Sequence, residues 1–448
     1  MYKEKNSEKK ISRRRAIEIM GLGLVGTAAA MSFKNNPFLN NLPGKVSKGE
    51  IKLVDKRKNP KNGDMVSLIG FGCMRFPTTG DGGRKAPIDV IKSQELVDYA
   101  YAHGINYYDT AYVYHGGKSE GIIGAALKKY PRKSYFLADK MPGYNVKVKE
   151  DGPKFFEEQI QRCGVDYFDY YLLHSLQNRQ SYDKVYEEMG VYDYLVEQKK
   201  KGRIRQLGFS FHGDMPFFDY VIDKHQWDFV QVELNYLDWN GQDAEHIYNA
   251  LVKRHIPCIV MEPLKGGMLA SLSTDADAIF KKANPKATVA SWAFRYAGSL
   301  SDVMVILSGM TYMEHLEDNI KTFTDFKPLT NADYETINLA VAEYQKFKRI
   351  GCTACRYCMP CPFGVEIPTV FATYNQLIMD SNVPDMKAQN TDDYKKKATA
   401  FSDAFHKAFA QGGGPDKCAK CGACLPKCPQ HLEIPSLMSM INGTLESL

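Results

Sequence analysis

The stretch Ile105-Asn-Tyr-Tyr-Asp-Thr-Ala-Tyr-Val-Tyr-His-Gly-Gly-Lys-Ser-Glu120 sets a pattern that recurs along the chain. It begins as a short strand-like run, and after Asp109 it becomes a polar loop that holds Tyr114 and His115. In parallel α/β barrels, the catalytic side chains lie at the carboxyl ends of buried strands. The stretch therefore predicts a strand at 105–109 whose end contributes Asp109 to a functional site.

Further strand-like runs also end in a polar side chain. The last residues of five such runs are Lys140, His174, Ser210, Gln231 and Glu262. Repetition of this kind is difficult to explain as ordinary core. Because the parallel strands of a barrel all end at the same mouth, we expect these side chains to converge there.

Strand-like and helix-like segments alternate through residues 51–350. Eight strands are predicted, at 67–71, 105–109, 134–140, 168–174, 204–210, 229–233, 257–262 and 302–308. Helices are predicted at 90–103, 119–130, 153–163, 184–201, 243–255 and 331–348. This alternation indicates an α/β protein with a parallel sheet, and eight units favour a closed (β/α)8 TIM barrel. A doubly wound open sheet is the alternative. A hairpin of 51–54 with 65–71 is expected to precede the first strand.

The composition is that of a globular protein with room for a barrel and a smaller second domain. The chain has 448 residues, of which 44% are hydrophobic and 25% are charged. The net charge is +6, but much of it lies near the N-terminus, so it does not argue for nucleic acid as a partner. No apolar run of about 18 residues predicts a membrane span.

Residues 1–31 resemble an export signal. Ser12-Arg-Arg-Arg15 leads into a mildly apolar run that ends in Ala28-Ala-Ala30, as in signals read by the twin-arginine (Tat) export machinery. The pattern predicts export to a periplasmic or extracytoplasmic location, with a membrane tether if the signal is uncleaved and a linker at 32–50. An uncleaved basic tail is the alternative. Gly21-Leu-Gly-Leu-Val-Gly26 follows arginines rather than a strand, so it does not predict dinucleotide binding.

The polar groups at the strand ends have complementary chemistry. A tyrosine such as Tyr114 has a pKa of roughly 10, and a neighbouring lysine such as Lys140 is expected to lower that pKa. A carboxylate such as Asp109 would anchor the lysine, and His174 could orient a carbonyl group. Together these groups could protonate a carbonyl oxygen while hydride arrives at the carbon.

Residues from about 50 to 350 resemble the aldo/keto reductase family. The matching motifs are Asp109-Thr-Ala-x-x-Tyr114 with Ser119-Glu120, the strands that end in Lys140 and His174, and Gly202-Arg-Ile-Arg-x-Leu-Gly-Phe-Ser210. The resemblance implies that Asp109, Tyr114, Lys140 and His174 form a catalytic tetrad in which Tyr114 donates the proton. It also implies reversible hydride transfer between NAD(P)H and a small carbonyl or alcohol substrate.

The resemblance also implies a set of cofactor contacts across the barrel mouth. Ser210 and Gln231 would hold the carboxamide of the nicotinamide. The remaining contacts, from the middle of the cofactor to its adenine end, are Asn235, Pro263, Leu264, Gly266, Gly309, Glu317 and Asn319. The sequence departs from the family at Phe211, at Met261 and in the loop 307–315, which has no firm cation for a 2′-phosphate. The choice between NAD and NADP therefore stays open.

Eight of the eleven cysteines lie after residue 350, in two similar groups. The groups are Cys352-x-x-Cys355-x-x-Cys358-x-x-Cys361-Pro and Cys418-x-x-Cys421-x-x-Cys424-x-x-x-Cys428-Pro. The second has the bacterial ferredoxin spacing, in which the fourth cysteine binds the other cluster. This logic predicts two [4Fe–4S] clusters, one held by Cys352, Cys355, Cys358 and Cys428 and the other by Cys361, Cys418, Cys421 and Cys424. Zinc sites and disulfides are alternatives that the spacing suits poorly.

The sequence therefore predicts an oxidoreductase with two domains. The barrel occupies residues 51–350, and a mainly helical 4Fe–4S ferredoxin-type domain occupies 351–448, with its helices in 369–410. One alternative is an electron-transfer protein in which the barrel only docks a substrate or a redox partner protein. Another is a working reductase whose clusters are purely structural. Nicotinamide delivers two electrons as hydride whereas each cluster accepts one, so the sequence leaves the role of the clusters open.

Overall fold

The computed structural model describes residues 52–80, 86–241, 243–346, 349–389 and 391–448. The expected export signal at 1–31 and the linker at 32–50 lie outside these residues. Residues 51–448 form one compact unit, which contains both the strands of the barrel and the cysteine groups. Within the described residues, no helix is long and apolar enough to cross a membrane.

Eight parallel strands close into a barrel, as the alternating pattern predicted. In chain order they are β3 Ile69–Gly72, β4 Tyr107–Asp109, β5 Phe136–Met141, β6 Phe168–Leu176, β7 Ile204–Phe211, β8 Phe229–Glu233, β9 Cys258–Met261 and β10 Val303–Ser308. Each strand pairs with the next, and β10 closes the ring by pairing Ile306 with Ile69 of β3. This closure excludes the doubly wound open sheet.

A two-stranded hairpin precedes the barrel, but its first strand is not where we predicted it. The strands are β1 Lys56–Lys58 and β2 Met65–Ser67. The predicted strand at 51–54 is wrong in the residues described, because Val54 is buried and its N–H donates to the carbonyl of His103 at 3.0 Å. Arg57 of β1 donates to the carbonyl of Leu300 at 2.9 Å. The hairpin is thereby attached to the amino-terminal end of β10.

Helices surround the barrel. They are α1 Val90–Ala102, α2 Ser119–Leu127, α3 Asp151–Cys163, α4 Arg179–Tyr182, α5 Val191–Lys200, α6 Met215–Ile222, α7 Asp238–Gly241, α8 Ala244–Lys253, α9 Thr274–Ala283, α10 Val289–Gly298, α11 Met313–Phe323 and α12 Asn331–Tyr344. The single helix predicted at 184–201 is instead a π-helical segment and α5, separated by Gly190 in the left-handed region at φ 71°. The sequence analysis did not assign α6 or α9–α11. In α6 the buried residues Phe217, Phe218, Val221 and Ile222 do follow one helical face, and this pattern was overlooked.

The C-terminal segment is mainly helical, as expected. Its helices are α13 Ile367–Met379, α14 Asp392–Ala408 and α15 Ile434–Glu446. They enclose a second apolar core that includes Val370, Phe371, Phe401 and Met438. The cysteine groups lie in the loops before α13 and α15, so this small core holds both loops.

Candidate active site

Strand alternation brings the predicted catalytic residues into the barrel. Side chains two residues apart on a strand share a face. Asp109 therefore shares the face of Tyr107, Lys140 that of Ala138, and His174 that of Leu172. Those three neighbours belong to the apolar cluster inside the barrel, formed by Tyr107, Ala138, Tyr170, Leu172, Phe229, Ile259 and Val305. The polar groups consequently stand directly above an apolar floor.

Asp109 and Lys140 form a buried ion pair. The Lys140 ammonium lies 2.6 Å from Asp109 Oδ1 and donates to the carbonyl of Thr110 at 2.7 Å. Burial raises the pKa of Asp109, while the charge of Lys140 opposes that rise. Asp109 Oδ2 is buried without a hydrogen-bond partner among the described residues. The pair fixes the lysine beneath the mouth of the barrel.

Tyr114 lies beside this pair, with its ring centroid 4.9 Å from the Lys140 ammonium. Burial, followed by the hydroxyl of Tyr357 and the carboxylate of Asp109, raises the pKa of Tyr114 well above its ordinary value. The lowering of this pKa expected from Lys140 does not prevail, because burial dominates and the Asp109 carboxylate offsets part of the lysine charge. Tyr114 is held in its protonated form and is suited to donate a proton.

His174 lies between two tyrosines. Its Nδ1 is 3.1 Å from the Tyr144 hydroxyl, and its Nε2 is 3.5 Å from the Tyr357 hydroxyl. Its ring is 6.0 Å from the ring of Tyr114. Burial lowers the pKa of His174 well below its ordinary value, and Lys140 acts in the same direction. The imidazole is therefore neutral and can orient an oxygen atom without carrying charge.

A cleft of about 510 Å³ extends from these residues along the barrel mouth. Many of the predicted site residues line it, namely Asp109, Tyr114, His174, Ser210, Gln231, Pro263, Leu264, Gly266, Gly309 and Asn319. Its length joins the tetrad to the N-terminal part of α11. The cleft is therefore an elongated space that reaches from Tyr114 to α11.

Two polar residues that line the cleft have atoms available to a ligand. Ser210 Oγ accepts a hydrogen bond from the N–H of Ser175 at 2.7 Å, so its hydroxyl hydrogen stays available. Gln231 Nε2 contacts Met261 Sδ at 3.4 Å, whereas Gln231 Oε1 is buried without a partner in the described structure. An unsatisfied buried carbonyl costs free energy, and an amide N–H from a ligand would satisfy it.

Three predicted site residues do not line the cleft: Lys140, Asn235 and Glu317. Lys140 lies behind Asp109, as a supporting residue should. Asn235 is engaged by its own neighbours, because its Nδ2 lies 2.5 Å from Asp238 Oδ2 and its Oδ1 accepts from the N–H of Leu237 at 3.0 Å. The Asn235 side chain is therefore engaged within the loop after β8.

The eight cysteines of the two groups line two small cavities. Cys352, Cys355, Cys358 and Cys428 line the first, and Cys358, Cys361, Cys418, Cys421 and Cys424 line the second. The assignment of four ligands to each cluster stays a prediction. All eleven cysteines lie in the described residues, and all are free, so the disulfide alternative has no counterpart in this structure.

The donor set fits iron–sulfur clusters. Burial, and then the neighbouring thiols, raise the pKa of Cys358 to about 12. Thiols packed so closely favour the thiolate form only when cationic iron offsets their charge. Ala354 and Arg356 in the first loop have φ values of 52° and 65°, so the backbone turns between successive cysteines, and Cys352, Cys355 and Cys358 line one cavity.

Both cysteine loops also cover the cleft, which the sequence analysis missed. Cys355, Tyr357, Pro429 and Gln430 line the same cleft as the tetrad. Tyr357 is the residue that reaches His174. The position of Tyr357 between Cys355 and Cys358 is the signal that could have identified it as a site residue. The cysteine spacing does not indicate which barrel residue Tyr357 contacts.

Polar contacts attach the second cysteine loop to the barrel. Gln430 Nε2 donates to both carboxylate oxygens of Glu233 at 2.8 Å, and its Oε1 accepts from Lys265 at 3.0 Å. Lys265 also lies 2.6 Å from Asp238. These side chains are all buried. Gly266, with φ 66°, is required beside them because a Cβ there would collide with the backbone of Thr353.

Comparison with known proteins agrees with this geometry. Residues 68–342 match the aldo/keto reductase family, and residues 351–432 match the 4Fe-4S dicluster domain. L-galactose dehydrogenase of Arabidopsis thaliana is 26% identical over 319 residues, covering 66% of this chain and 96% of that protein. The NADH-specific methylglyoxal reductase of Escherichia coli (strain K12) is 26% identical over 285 residues, covering 54% of this chain and 83% of that protein.

A solved structure shows the same barrel fold. The aldo-keto reductase AKR11C1 from Bacillus halodurans, in its holo form, superposes with a TM-score of 0.53 at 21% sequence identity, covering 64% of this chain and 96% of that chain. The family match spans more than half of the chain, and the tetrad residue types stand at the ends of the expected strands. The chain therefore belongs to the aldo/keto reductase family of NAD(P)-dependent oxidoreductases, and it carries a 4Fe–4S dicluster domain after its barrel.

Proposed function

We propose that the protein catalyses reversible hydride transfer between a nicotinamide cofactor and a small aldehyde, ketone or alcohol. The observation that carries this proposal is the cleft that joins Tyr114 and His174 to Ser210 and Gln231. A proton donor, a neutral orienting group and two carboxamide partners stand around one space. The bound nicotinamide supplies the hydride.

The protein residues divide the remaining work. Tyr114 donates its hydrogen to the substrate oxygen as negative charge develops there, and the raised pKa of Tyr114 keeps that hydrogen in place beforehand. The Lys140 ammonium stabilises the phenolate that remains, and Asp109 keeps Lys140 below the ring. Neutral His174 donates a hydrogen bond to the same substrate oxygen. In the structure the Tyr357 hydroxyl lies 3.5 Å from His174 Nε2. We therefore propose that this hydroxyl moves away from Nε2 when substrate binds, so that the substrate oxygen takes its place.

NAD is the cofactor that we propose over NADP. Glu314 and Asp318 line the end of the cleft where the adenine ribose would lie, and their carboxylates would repel a 2′-phosphate. Arg75 also lines the cleft, but its guanidinium donates to the carbonyl of Thr353 at 2.7 Å. NADH should therefore have a lower KM than NADPH, and a lower KM for NADPH would overturn this choice.

We further propose that each cysteine set holds a [4Fe–4S] cluster, which supplies one-electron transfer when bound. Cys355 lines the cleft, which brings the first set next to the reaction site, whereas Cys421 of the second set is exposed. A redox partner protein would dock at that exposed edge. The positions of Cys355 in the cleft and Cys421 at the surface also support a second candidate function. In this alternative the protein is an electron carrier, and the barrel only binds a substrate or a partner protein.

The compartment is also a proposal. We propose that residues 1–31 direct Tat export and that the barrel at 51–350 and the cluster domain at 351–448 cross a membrane already folded. Fusion of residues 1–50 to a reporter that is active only after export would test this. A reporter retained inside the cell would contradict it.

Turnover of a matched pair of variants tests the proposed reaction. The iron-loaded protein is assayed anaerobically for NADH and NADPH oxidation with a panel of aldehydes and ketones. Tyr114→Phe should lower kcat by about 10²–10⁴-fold. Tyr112→Phe is the control, because the Tyr112 hydroxyl bonds Glu158 at 2.9 Å and does not line the cleft. Equal activity of the two variants would overturn the assignment of Tyr114.

A further inference from the structure

A second cavity, of about 550 Å³, lies on the other side of His174 and Tyr357 from the cofactor cleft. Both residues line both spaces, so the second cavity reaches the reacting centre without passing through the cofactor cleft. Its walls come from the loop after β5, the end of β6 with the π-helical segment that follows, and the cysteine loops. We propose that this cavity binds the substrate and that it selects substrates carrying an anionic group, a carboxylate or a phosphate.

The charges on the cavity wall carry the proposal. Lys147, Lys184 and Lys427 line the cavity, and the described residues that line it include no Asp or Glu. Lys184 and Lys427 form no ion pair with any described residue. The Lys147 ammonium donates to the carbonyl of Tyr144 at 3.3 Å, and Asp151, whose carboxylate accepts from the Lys147 N–H at 2.8 Å, does not line the cavity. Ammonium groups around a concave space that no carboxylate lines create a positive potential that favours an anion.

Some other lysines have a counter-charge. Lys199, on α5, and Lys201, directly after it, pair with carboxylates of the protein. Scattered surface lysines usually face solvent or find such partners, and they do not come together around a cavity without a counter-charge. The three cavity lysines also come from separate parts of the sequence. Lys427 lies in the cluster domain, immediately before Cys428, so the second domain completes the pocket.

Two tyrosines that line the cavity contact His174, the residue proposed to bind the substrate oxygen. The Tyr144 hydroxyl contacts His174 Nδ1 at 3.1 Å, and the Tyr357 hydroxyl contacts Nε2 at 3.5 Å. A carbonyl group placed at His174 would direct the rest of its molecule into this cavity, where the lysines lie at the open rim. A short-chain anionic aldehyde, ketone or alcohol meets both requirements.

This inference rests on the proposed function, and matched substrates separate the two. Anaerobic kcat/KM is measured for succinic semialdehyde against its neutral amide, 4-oxobutanamide, and for glyceraldehyde 3-phosphate against glyceraldehyde. The anion of at least one pair should be preferred by about tenfold, and the better pair identifies carboxylate or phosphate. Equal values within both pairs would overturn the inference while leaving the reductase activity intact.

Lysine variants locate the preference. Lys184 and Lys427 are exposed, so each of Lys184→Gln and Lys427→Gln should lower kcat/KM for the anion roughly three- to fivefold, as the loss of an exposed charge contact does, and leave the neutral substrate unchanged. Lys149→Gln is the control, because Lys149 is exposed on the same loop as Lys147 but does not line the cavity. Cluster absorbance is compared among the variants, so that cluster damage in Lys427→Gln is recognised. A preference that survives in the double variant would overturn the inference.

A lack of turnover with every substrate would count against the proposed function alone. In that case direct binding measurements test the inference. Calorimetry then follows 4-hydroxybutanoate and glycerol 3-phosphate binding to the iron-loaded full chain. Binding of either anion should weaken at least tenfold in the Lys184→Gln/Lys427→Gln double variant and stay unchanged in Lys149→Gln. Equal binding by the double variant, or no binding by the parent protein, would overturn the inference.

Discussion

Removal of the Lys140 charge is the perturbation whose size the structure defines most closely. The side chains of Lys140 and Asp109 are 0% and 4% exposed, and their atoms are 2.6 Å apart. In Lys140→Met, Asp109 loses its buried counter-charge and Thr110 loses a donor. Breaking one partner of a buried pair costs about 3–5 kcal/mol, because it leaves an uncompensated charge in the interior. We expect the unfolding free energy of Lys140→Met to fall by this amount.

A double-mutant cycle separates the pair from ordinary loss of packing. Asp109→Asn in the Lys140→Met background removes the uncompensated charge, so it should restore about 2 kcal/mol or more. Lys201→Met is the matched control, because Lys201 pairs with Glu197 at 2.5 Å while both side chains are more than half exposed. Such a surface pair is worth about 0–1 kcal/mol.

The assay is anaerobic guanidinium unfolding of the iron-loaded protein, followed by the fluorescence of the three tryptophans, which all lie in the barrel. The reasoning is refuted if Lys140→Met costs no more than Lys201→Met. It is also refuted if the effects of Asp109→Asn and Lys140→Met simply add, because additive effects would mean that the two charges do not interact.

Three further predictions concern the contact of Gln430 with the barrel, the buried His212 and the cysteine sets. Gln430→Ala leaves the buried Glu233 side chain without its amide donor, so it should lower the unfolding free energy by about 1–3 kcal/mol. Gln411 is exposed, so Gln411→Ala should not change the unfolding free energy. Burial lowers the pKa of His212 from its ordinary value of 6.5 to about 4. The unfolded chain therefore binds one proton more between these values, and stability falls as pH drops from 6.5 to 4; His212→Leu should flatten this acid slope by up to one proton. Cys428→Ser should halve the iron content and Cys73→Ser should leave it unchanged, and equal iron in the two would contradict the proposed ligand set.

The barrel could be predicted because strand alternation and strand-end chemistry are local in sequence. Asp109, Lys140 and His174 can each be recognised in the sequence as a polar residue that ends an apolar run. The contact between Tyr357 and His174 could not be predicted, because 183 residues separate them and only the packing of the second domain brings them together.

The hydrogen bonds of a predicted contact residue depend on packing that the sequence does not show. Asn235 occupies a position at which the resemblance implies a cofactor contact, but its side chain is satisfied by Asp238 and Leu237. Sequence alone does not reveal which donors are already used. The raised pKa of Tyr114 is a second example, since the effect of Lys140 depends on how completely Asp109 neutralises it.

Isotope transfer tests the central claim most directly. The iron-loaded protein is mixed anaerobically with NADH dideuterated at C4 and an accepted carbonyl substrate, and the alcohol product is analysed by mass spectrometry while cluster absorbance is recorded. The account predicts one deuterium on the carbinol carbon, and loss of this transfer in Tyr114→Phe. An alcohol without deuterium, formed while the clusters bleach, would contradict it and would favour the electron-carrier alternative.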